Sequence, residues 1–423
     1  MVCSKRRHNR RCCVLLVSKA VALKRPPSDK KIHQIENIMT KERELDIIVY
    51  GATGFTGQLV CEHLNDTYGV NGDYKWAMAG RSHEKLEKVR DELGFDKSVP
   101  LIVADSGDTV ALESMVASTR VLLTTVGPYT LYGTEVVRAC ADSGTDYVDL
   151  CGEPLWMKAM IDACDATAKK NGARIVFSCG FDSVPFEMGV FFVQNAALEK
   201  FGHTLPRVKG RVRSLQGSAS GGTVASFGAT MAAVQENPEQ IENLTNPHLL
   251  ASGSGAGQPA GDANIYEEDL GNWSGPFFMA TINTKNVHRS NMLLEHAYGD
   301  DFVYDEMQLL GPEEPVAGQA GGEDLAFDMS LQPGDGPSKE EREAGYYNVA
   351  FFAQGNSGES ITATVTGDKD PGYGSTSKII AEAAISLLQN TSTKGGILTP
   401  APAMGMALVE RLTANAGMVF AID

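Results

Sequence analysis

Three glycines, each separated from the next by two residues, lie in the run Ile47-Ile48-Val49-Tyr50-Gly51-Ala52-Thr53-Gly54-Phe55-Thr56-Gly57. An apolar strand-like stretch precedes them and a segment of helical periodicity follows. In that setting each glycine has its own task. Gly51 permits a tight turn, Gly54 lets the backbone approach a pyrophosphate without a Cβ collision, and Gly57 allows close packing of helix on strand. The free N–H groups and the positive end of the helix dipole then face the anion. Residues Gly51, Ala52, Thr53, Gly54, Phe55, Thr56 and Gly57 are therefore read as a diphosphate cradle. The bland alternative is a glycine-rich turn with no ligand.

The next apolar run ends Ala79-Gly80-Arg81-Ser82, with Arg81 24 residues after Gly57. Sites for NAD usually place a carboxylate there to hold the ribose hydroxyls. A guanidinium beside a hydroxyl suits a 2′-phosphate instead. Arg81 and Ser82 thus predict NADP(H), against the plainer reading of an arginine at the start of a surface helix. Asp105, which ends the third run, could accept from the adenine amino group or cap the next helix. The fourth run ends Thr124-Thr125-Val126-Gly127-Pro128-Tyr129. Val126, Gly127 and Pro128 shape a turn where the dinucleotide would pass. Tyr129 and Tyr132 are candidates for stacking on the nicotinamide or donating a proton, with ordinary packing as an equal alternative.

Further acidic residues end the fifth and sixth runs: Asp149 and Glu153 in Asp149-Leu150-Cys151-Gly152-Glu153, and Asp182 in Cys179-Gly180-Phe181-Asp182-Ser183. Asp149 is a third candidate for proton transfer, and Glu153 and Asp182 for contact with substrate. Each could equally cap a helix, and Asp182 or Ser183 is placed to begin the helix ending near Lys200. Gly222 and Thr223, before an apolar helix, form a weaker candidate cradle for a substrate anion or carbonyl. None of the twelve tyrosines has lysine four residues on; the nearest case is Tyr373 with Lys378 at five. That removes the Tyr-x-x-x-Lys pair of short-chain-type reductases, and H-E-x-x-H, G-x-S-x-G and a P-loop lysine are also absent.

These residues need a scaffold that gathers strand ends. Buried-strand patterns cover Asp46–Tyr50, Lys75–Ala79, Pro100–Ala104, Val121–Val126, Asp146–Leu150 and Arg174–Ser178, with helical periodicity at Thr56–Thr67, Glu84–Leu93, Val110–Ala117, Gly133–Asp142 and Leu155–Lys170. Alternation at this spacing predicts an α/β fold: a Rossmann-type doubly wound parallel sheet over residues 45–204. After Phe201 the rhythm breaks. Strand character at Val208–Ser214, Phe277–Asn283 and Tyr347–Ala353 predicts an inserted, mixed α+β and largely antiparallel second domain over 205–365. The segment 366–423, helical from Gly372 to Gln389, is expected to return to the first domain.

The chain has 423 residues and a net charge of −16, unevenly spread. Residues 1–44 hold twelve Lys+Arg and four Asp+Glu, which leaves −24 on the remainder. An acidic body excludes broad attraction to nucleic acid. The basic head, with eight Lys/Arg and no acid in its first 28 residues, reads as a disordered extension or as a frame over-extended upstream of Met39, with a mitochondrial transit peptide as the alternative for residues 1–38. Eight cysteines without a C-x-x-C pair give neither a disulfide framework nor a zinc site, and no metal is expected. That cysteine pattern fits a reducing compartment, so a cytoplasmic protein is expected, and no apolar run reaches membrane-spanning length.

Taken with Asp370-Pro371-Gly372-Tyr373-Gly374-Ser375-Thr376-Ser377-Lys378 and Gly395-Gly396-Ile397-Leu398-Thr399-Pro400, the motifs above make the chain from Leu45 onward resemble the saccharopine dehydrogenase-like oxidoreductases, a group that includes the trans-acting enoyl reductases. The resemblance implies an interrupted NADP(H)-binding domain and an oxidoreductase. It implies a lipid or polyketide-type acyl substrate whose carbon–carbon double bond is reduced, in lipid or glycolipid metabolism. Two alternatives stand beside it: a saccharopine-type imine reductase or amino-acid dehydrogenase, and a non-catalytic NADP(H)-sensing module. The dicarboxylate-binding arginine set of a saccharopine site is not evident, although Arg207, Arg211 and Arg213 lie together. Some relatives carry a membrane-associated segment; none is evident here, which leaves at most peripheral contact with lipid.

Overall fold

The computed structural model describes residues 43–70, 72–218, 221–253, 255–315, 325–326, 330–331 and 334–423. The expectations for the basic head, apart from residues 43–44, fall outside these residues.

Six strands alternate with helices through the first half: β1 (Leu45–Tyr50), β2 (Trp76–Gly80), β3 (Leu101–Val103), β4 (Thr119–Thr124), β5 (Asp146–Val148) and β6 (Arg174–Val176). Seven more follow: β7 (Arg207–Ser218), β8 (Ile265–Glu267), β9 (Asn272–Pro276), β10 (Val303–Gly311), β11 (Leu325–Ala326), β12 (Tyr346–Gln354) and β13 (Ser360–Gly367). The last two are β14 (Gly396–Leu398) and β15 (Met418–Ile422).

The first sheet has the order β3-β2-β1-β4-β5-β6-β14 and every pairing in it is parallel. This is the doubly wound order, reversing direction between β1 and β4, and such sheets take ligands beyond the carboxyl ends of the strands at that reversal. Alternation along β1 explains why both faces are covered. Ile47 and Val49 belong to one apolar cluster, which includes residues of helices Phe55–Tyr68 and Thr376–Gln389. Ile48 and Tyr50 belong to the other, with helices Thr109–Ala117, Thr134–Ser143 and Pro154–Asn171.

The second sheet has the order β15-β13-β12-β7-β10-β9-β8, with β11 beside β7. It is mostly antiparallel, but β7 pairs in parallel with both β10 and β11. Helix Val184–Phe201 packs it onto the first domain so closely that a Cβ on Gly189 would lie 2.2 Å from the Phe351 ring. Residues 366–423 supply a strand to each sheet, β14 to the first and β15 to the second.

One expected strand is a helix. Pro276 ends β9, a turn follows, and Ala280–Leu293 is helical where strand character was read at Phe277–Asn283. Its buried positions include Asn283, Lys285, Asn286, His288, Arg289, Ser290 and Asn291. A helix that buries polar side chains has no apolar stripe for periodicity to reveal. The short strands β8 and β9 were also not anticipated. The expected helix Gly372–Gln389 opens as a π-turn over Pro371–Ser375 before the α-helix at Thr376.

Candidate functional site at the carboxyl rim of the first sheet

The glycine run sits where the sequence puts it, between β1 and helix Phe55–Tyr68. Gly51 has φ +94°, a left-handed conformation, and a Cβ there would lie 2.7 Å from Thr125 Oγ1 and 2.9 Å from Val126 Cγ2. A Cβ on Gly57 would stand 2.1 Å from the Gly51 carbonyl oxygen. Gly54 precedes the helix and offers no side chain to cap it. The leading N–H groups therefore have no side-chain acceptor, and with the positive end of the helix dipole they can receive an anion. Ala52 is buried, and Thr53, Phe55 and Thr56 are partly exposed around the turn.

Gly80, at the end of β2, would place a Cβ 3.8 Å from Thr53 Oγ1, so Arg81 emerges beside the glycine loop. Arg81 is exposed, with no hydrogen bond or ion pair to the described residues. Ser82 caps helix His83–Glu92, its hydroxyl accepting from the Lys85 amide at 3.3 Å. Asp105 is exposed and accepts from the Gly107 amide at 2.9 Å, while Asp108 caps the next helix.

At the rim of β4 and β5 the acids divide by role. Glu153, almost fully buried, accepts from the amides of Tyr129 and Thr130, each at 2.8 Å, and from the Thr130 hydroxyl at 2.5 Å. It pins the turn carrying Val126, Gly127 and Pro128. Tyr129 is buried; its hydroxyl donates to the Thr124 carbonyl at 3.4 Å and accepts from the Leu150 amide at 3.0 Å. Burial pushes that hydroxyl well above its ordinary pKa. Asp149 is also buried and accepts from Tyr147 Oη at 2.9 Å and from the amides of Cys151 and Ser178 at 3.0 and 2.9 Å. Burial raises its carboxyl to about 7 although these donors favour the anion. Tyr132, one turn beyond Tyr129, is exposed.

Asp182 differs from all of these. It caps nothing: the helix begins at Val184, preceded by Ser183, whose Oγ accepts from Asn286 Nδ2 at 2.8 Å. The Asp182 carboxylate lies over the β5 loop, where a Cβ on Gly152 would meet its Oδ2 at 2.7 Å. Its carboxyl is raised to about 7 by burial, and the only hydrogen bond lowering it comes from its own amide. The structure thus sets an acid that titrates near neutrality on the rim where β5 and β6 end.

Part of the second domain leans over this rim. Helix Gly221–Glu236 brings Ser226 to Gly127, where an added Cβ would be 3.5 Å from the Ser226 hydroxyl. Thr223 Oγ1 shares a 2.6 Å hydrogen bond with Tyr373 Oη, and the Tyr373 ring stands edge-on to Phe55 at 5.2 Å. Arg342 lies over the other part of the Phe55 ring, 5.4 Å from its centroid. Gly222 is exposed next to Thr223. Reading the chain linearly missed Ser226, Tyr373 and Arg342, because only the fold joins residues so far apart; the sole signal was the Asp370–Lys378 motif. The three neighbouring arginines of β7 are consumed in ion pairs: Arg207 with Asp305, Arg211 with Glu267 and Asp305, and Arg213 with Asp423.

A turn closed to any Cβ, an uncapped helix start and an unpaired guanidinium beside it fit a phosphorylated dinucleotide. Residues 47–176 match the saccharopine dehydrogenase NADP-binding domain family. A chain from Mycobacterium tuberculosis (strain ATCC 25618 / H37Rv), provisionally named a trans-acting enoyl reductase, is 38% identical over 405 residues, 88% of this chain and 96% of its own length. The trans-acting enoyl reductase of Mycobacterium bovis (strain BCG / Pasteur 1173P2) is 37% identical over 412 residues, covering 89% of this chain and 97% of that protein. Among solved structures, apo saccharopine dehydrogenase (L-Glu forming) from Saccharomyces cerevisiae aligns over 90% of this chain and 100% of its own, with a TM-score of 0.51 at 13% identity, a likeness of fold. The protein is an NADP(H)-dependent oxidoreductase and belongs to the trans-acting enoyl reductase family of saccharopine dehydrogenase-like proteins.

Proposed function

We propose that the chain reduces the carbon–carbon double bond of an enoyl thioester. Support comes from the relatives named for that activity over nearly the whole chain and from the placement of an acid at the expected end of the sheet. The observation that carries the reading is Asp182: a rim carboxyl, titrating near 7, free of any capping role.

In this reading Gly51 to Gly57 hold the diphosphate through backbone N–H groups. Arg81 grips the 2′-phosphate as a charge-assisted pair, with the Ser82 hydroxyl beside it and Asp105 toward the adenine. Val126, Gly127 and Pro128 form the floor of the nicotinamide end, held in place by Glu153. When bound, the reduced nicotinamide supplies hydride. Asp182 delivers the proton to the substrate carbon that becomes carbanionic, and a pKa near the working pH suits that transfer. Tyr129, bonded to the backbone of Thr124 and Leu150, and Asp149, bonded to two amides and the Tyr147 hydroxyl, hold the strand ends in register. Thr223, with Gly222 beside it, is the candidate on the substrate side, and Tyr132 is the exposed aromatic at the entrance.

An imine reductase acting on a dicarboxylate is disfavoured by the arginines of β7, each already neutralised by an acid. The test is NADPH consumption over a panel of 2-enoyl thioesters and of keto-acid/amine pairs. Oxidation with the thioesters alone supports the reading; oxidation with the amine pairs alone overturns it.

A further inference from the structure

Helix Ala280–Leu293 packs against β10 and helix Val184–Phe201, and most of the side chains it buries are polar. Asn283, Asn286 and Ser290 share one of its faces, at spacings of three and four residues. Each reaches a different element. Asn283 Nδ2 donates to Glu306 Oε2 on β10 at 2.9 Å, Asn286 Nδ2 to Ser183 Oγ at 2.8 Å, and Ser290 Oγ to Glu187 Oε1 at 2.6 Å. Ser290 also shares a 2.6 Å bond with Thr399 Oγ1. The outer two contacts fix the helix along its length, and the middle one meets the residue that follows Asp182.

Ser183 stands at the N-cap of helix Val184–Phe201, where a serine hydroxyl ordinarily accepts from an amide of the first turn. It makes no such bond. Its Oγ takes the Asn286 amide instead, so a capping interaction gives way to a contact with the second domain. The Ser183 backbone is held as well. Its N–H donates to the Ser178 carbonyl at 2.9 Å, and its own carbonyl accepts from the amides of Phe186 and Glu187 at 3.1 and 2.9 Å. Asp182 has no such support: its own amide is the one hydrogen bond that acts on its carboxyl. The place of that carboxyl therefore follows from the place of Ser183. Stability does not account for Asn286. A buried amide costs free energy unless its polar atoms are bonded, and Asn286 Oδ1 has no partner among the described residues.

We propose that Asn286 is a positioning residue for the proton donor: it grips Ser183 from the second domain and thereby fixes the Asp182 carboxyl over Gly152, where β5 and β6 end. The assignment rests on the enoyl reductase reading and adds to it a residue of the other domain on which proton delivery depends. Asn286 is fully buried and acts through Ser183. Misplacing a reacting group by about 1 Å can cost on the order of 10²-fold in rate, so the loss of one such bond is enough to be read in turnover.

The test follows the carboxyl itself as well as turnover. The full chain is labelled with ¹³C at the aspartate carboxyls, and the Asp182 resonance is identified by its absence in Asp182→Asn. In the parent it should titrate at about 7. Asn286→Ala removes the donor of the bond, and Ser183→Ala removes the acceptor with a smaller change to the core. In both, the freed carboxyl gains water and its midpoint should fall by about half a unit or more. With crotonyl-CoA and NADPH, Asn286→Ala should lower kcat about 10- to 100-fold at unchanged NADPH affinity, and should lower it no further when combined with Asp182→Asn. An Asp182 midpoint unmoved in both variants overturns the assignment. So does an equal loss of kcat with and without the Asp182 carboxyl, which marks a purely structural residue. Full turnover by Asp182→Asn would overturn the donor reading, while a midpoint shifted by Asn286→Ala would leave the hold on the carboxyl standing.

Discussion

The Glu153 carboxylate, on the loop after β5, accepts from the Tyr129 amide on the loop after β4 at 2.8 Å and from its neighbour Thr130 at the same distance. The sequence offered Glu153 as a substrate contact; in the structure both its oxygens hold the turn after β4. Glu153→Ala removes the acceptor of the buried Tyr129 amide and of the partly exposed Thr130 amide, a cost of about 1–3 kcal/mol. Thermal unfolding should occur several degrees lower, with weaker NADPH binding. Unchanged melting would contradict the assigned role.

Arg81 is the cofactor-selectivity prediction. Its guanidinium has no competing partner among the described residues, so its loss removes one charge-assisted pair, worth roughly 1.5–3 kcal/mol, or about 10- to 100-fold in NADPH affinity. NADH affinity should barely change in Arg81→Ala and should improve in Arg81→Asp. Fluorescence titration with both nucleotides measures the ratio. A parallel loss for the two would place the 2′-phosphate elsewhere.

Asp182 joins catalysis to pH. Its carboxyl is raised to about 7 by burial, so the proton-donating form is lost as pH rises through that value, and kcat should fall above about pH 7. Asp182→Asn should lose on the order of 10²–10⁴ in turnover while still binding NADPH. A kcat unchanged in Asp182→Asn would move the donor to another group, with Tyr132 next in line.

Stability should follow the same buried acids. Burial raises Asp149, Asp182 and Glu187 to about 7 and Glu306 to about 8, above the roughly 4 of an unfolded carboxyl. The folded chain therefore binds more protons than the unfolded chain across that interval, and these four groups stabilise fully below about pH 4 and lose their contribution as pH rises through 7 to 8. Glu267, held down to about 2 beside Arg211, has the opposite sign and is lost only in strong acid. Melting temperature is expected to decline from about pH 6 to pH 8, less steeply in Asp182→Asn. A flat profile would count against burial of these carboxyls.

The backbone of the cofactor site was legible because glycine spacing and strand alternation are local signals. Gly51 and Gly57 are required by contacts within a few residues or with the adjacent strand, and those contacts leave a mark in the sequence. The roles of the polar groups were less legible. Tyr129 reads as a catalytic tyrosine until the fold presents Leu150 N–H to its hydroxyl, and Glu153 as a ligand until Tyr129 and Thr130 arrive. Asp182 escaped a capping role because Gly152 leaves room for its carboxylate. Helix Ala280–Leu293 was unreadable for another reason: its buried face is polar, bonded in part to Ser183, Glu187, Glu306 and backbone carbonyls distant in sequence, while Asn283 Oδ1, Asn286 Oδ1, His288 Nε2 and Arg289 Nε have no partner among the described residues.

Transfer of hydride from deuterium-labelled NADPH to a 2-enoyl thioester, with the product analysed by mass spectrometry, tests the central claim most directly. The account predicts a saturated thioester carrying one deuterium on carbon, formed by the parent protein and lost in Gly57→Ala, whose added Cβ would stand 2.1 Å from the Gly51 carbonyl. Tight NADPH binding with no label passing to any enoyl thioester would contradict it.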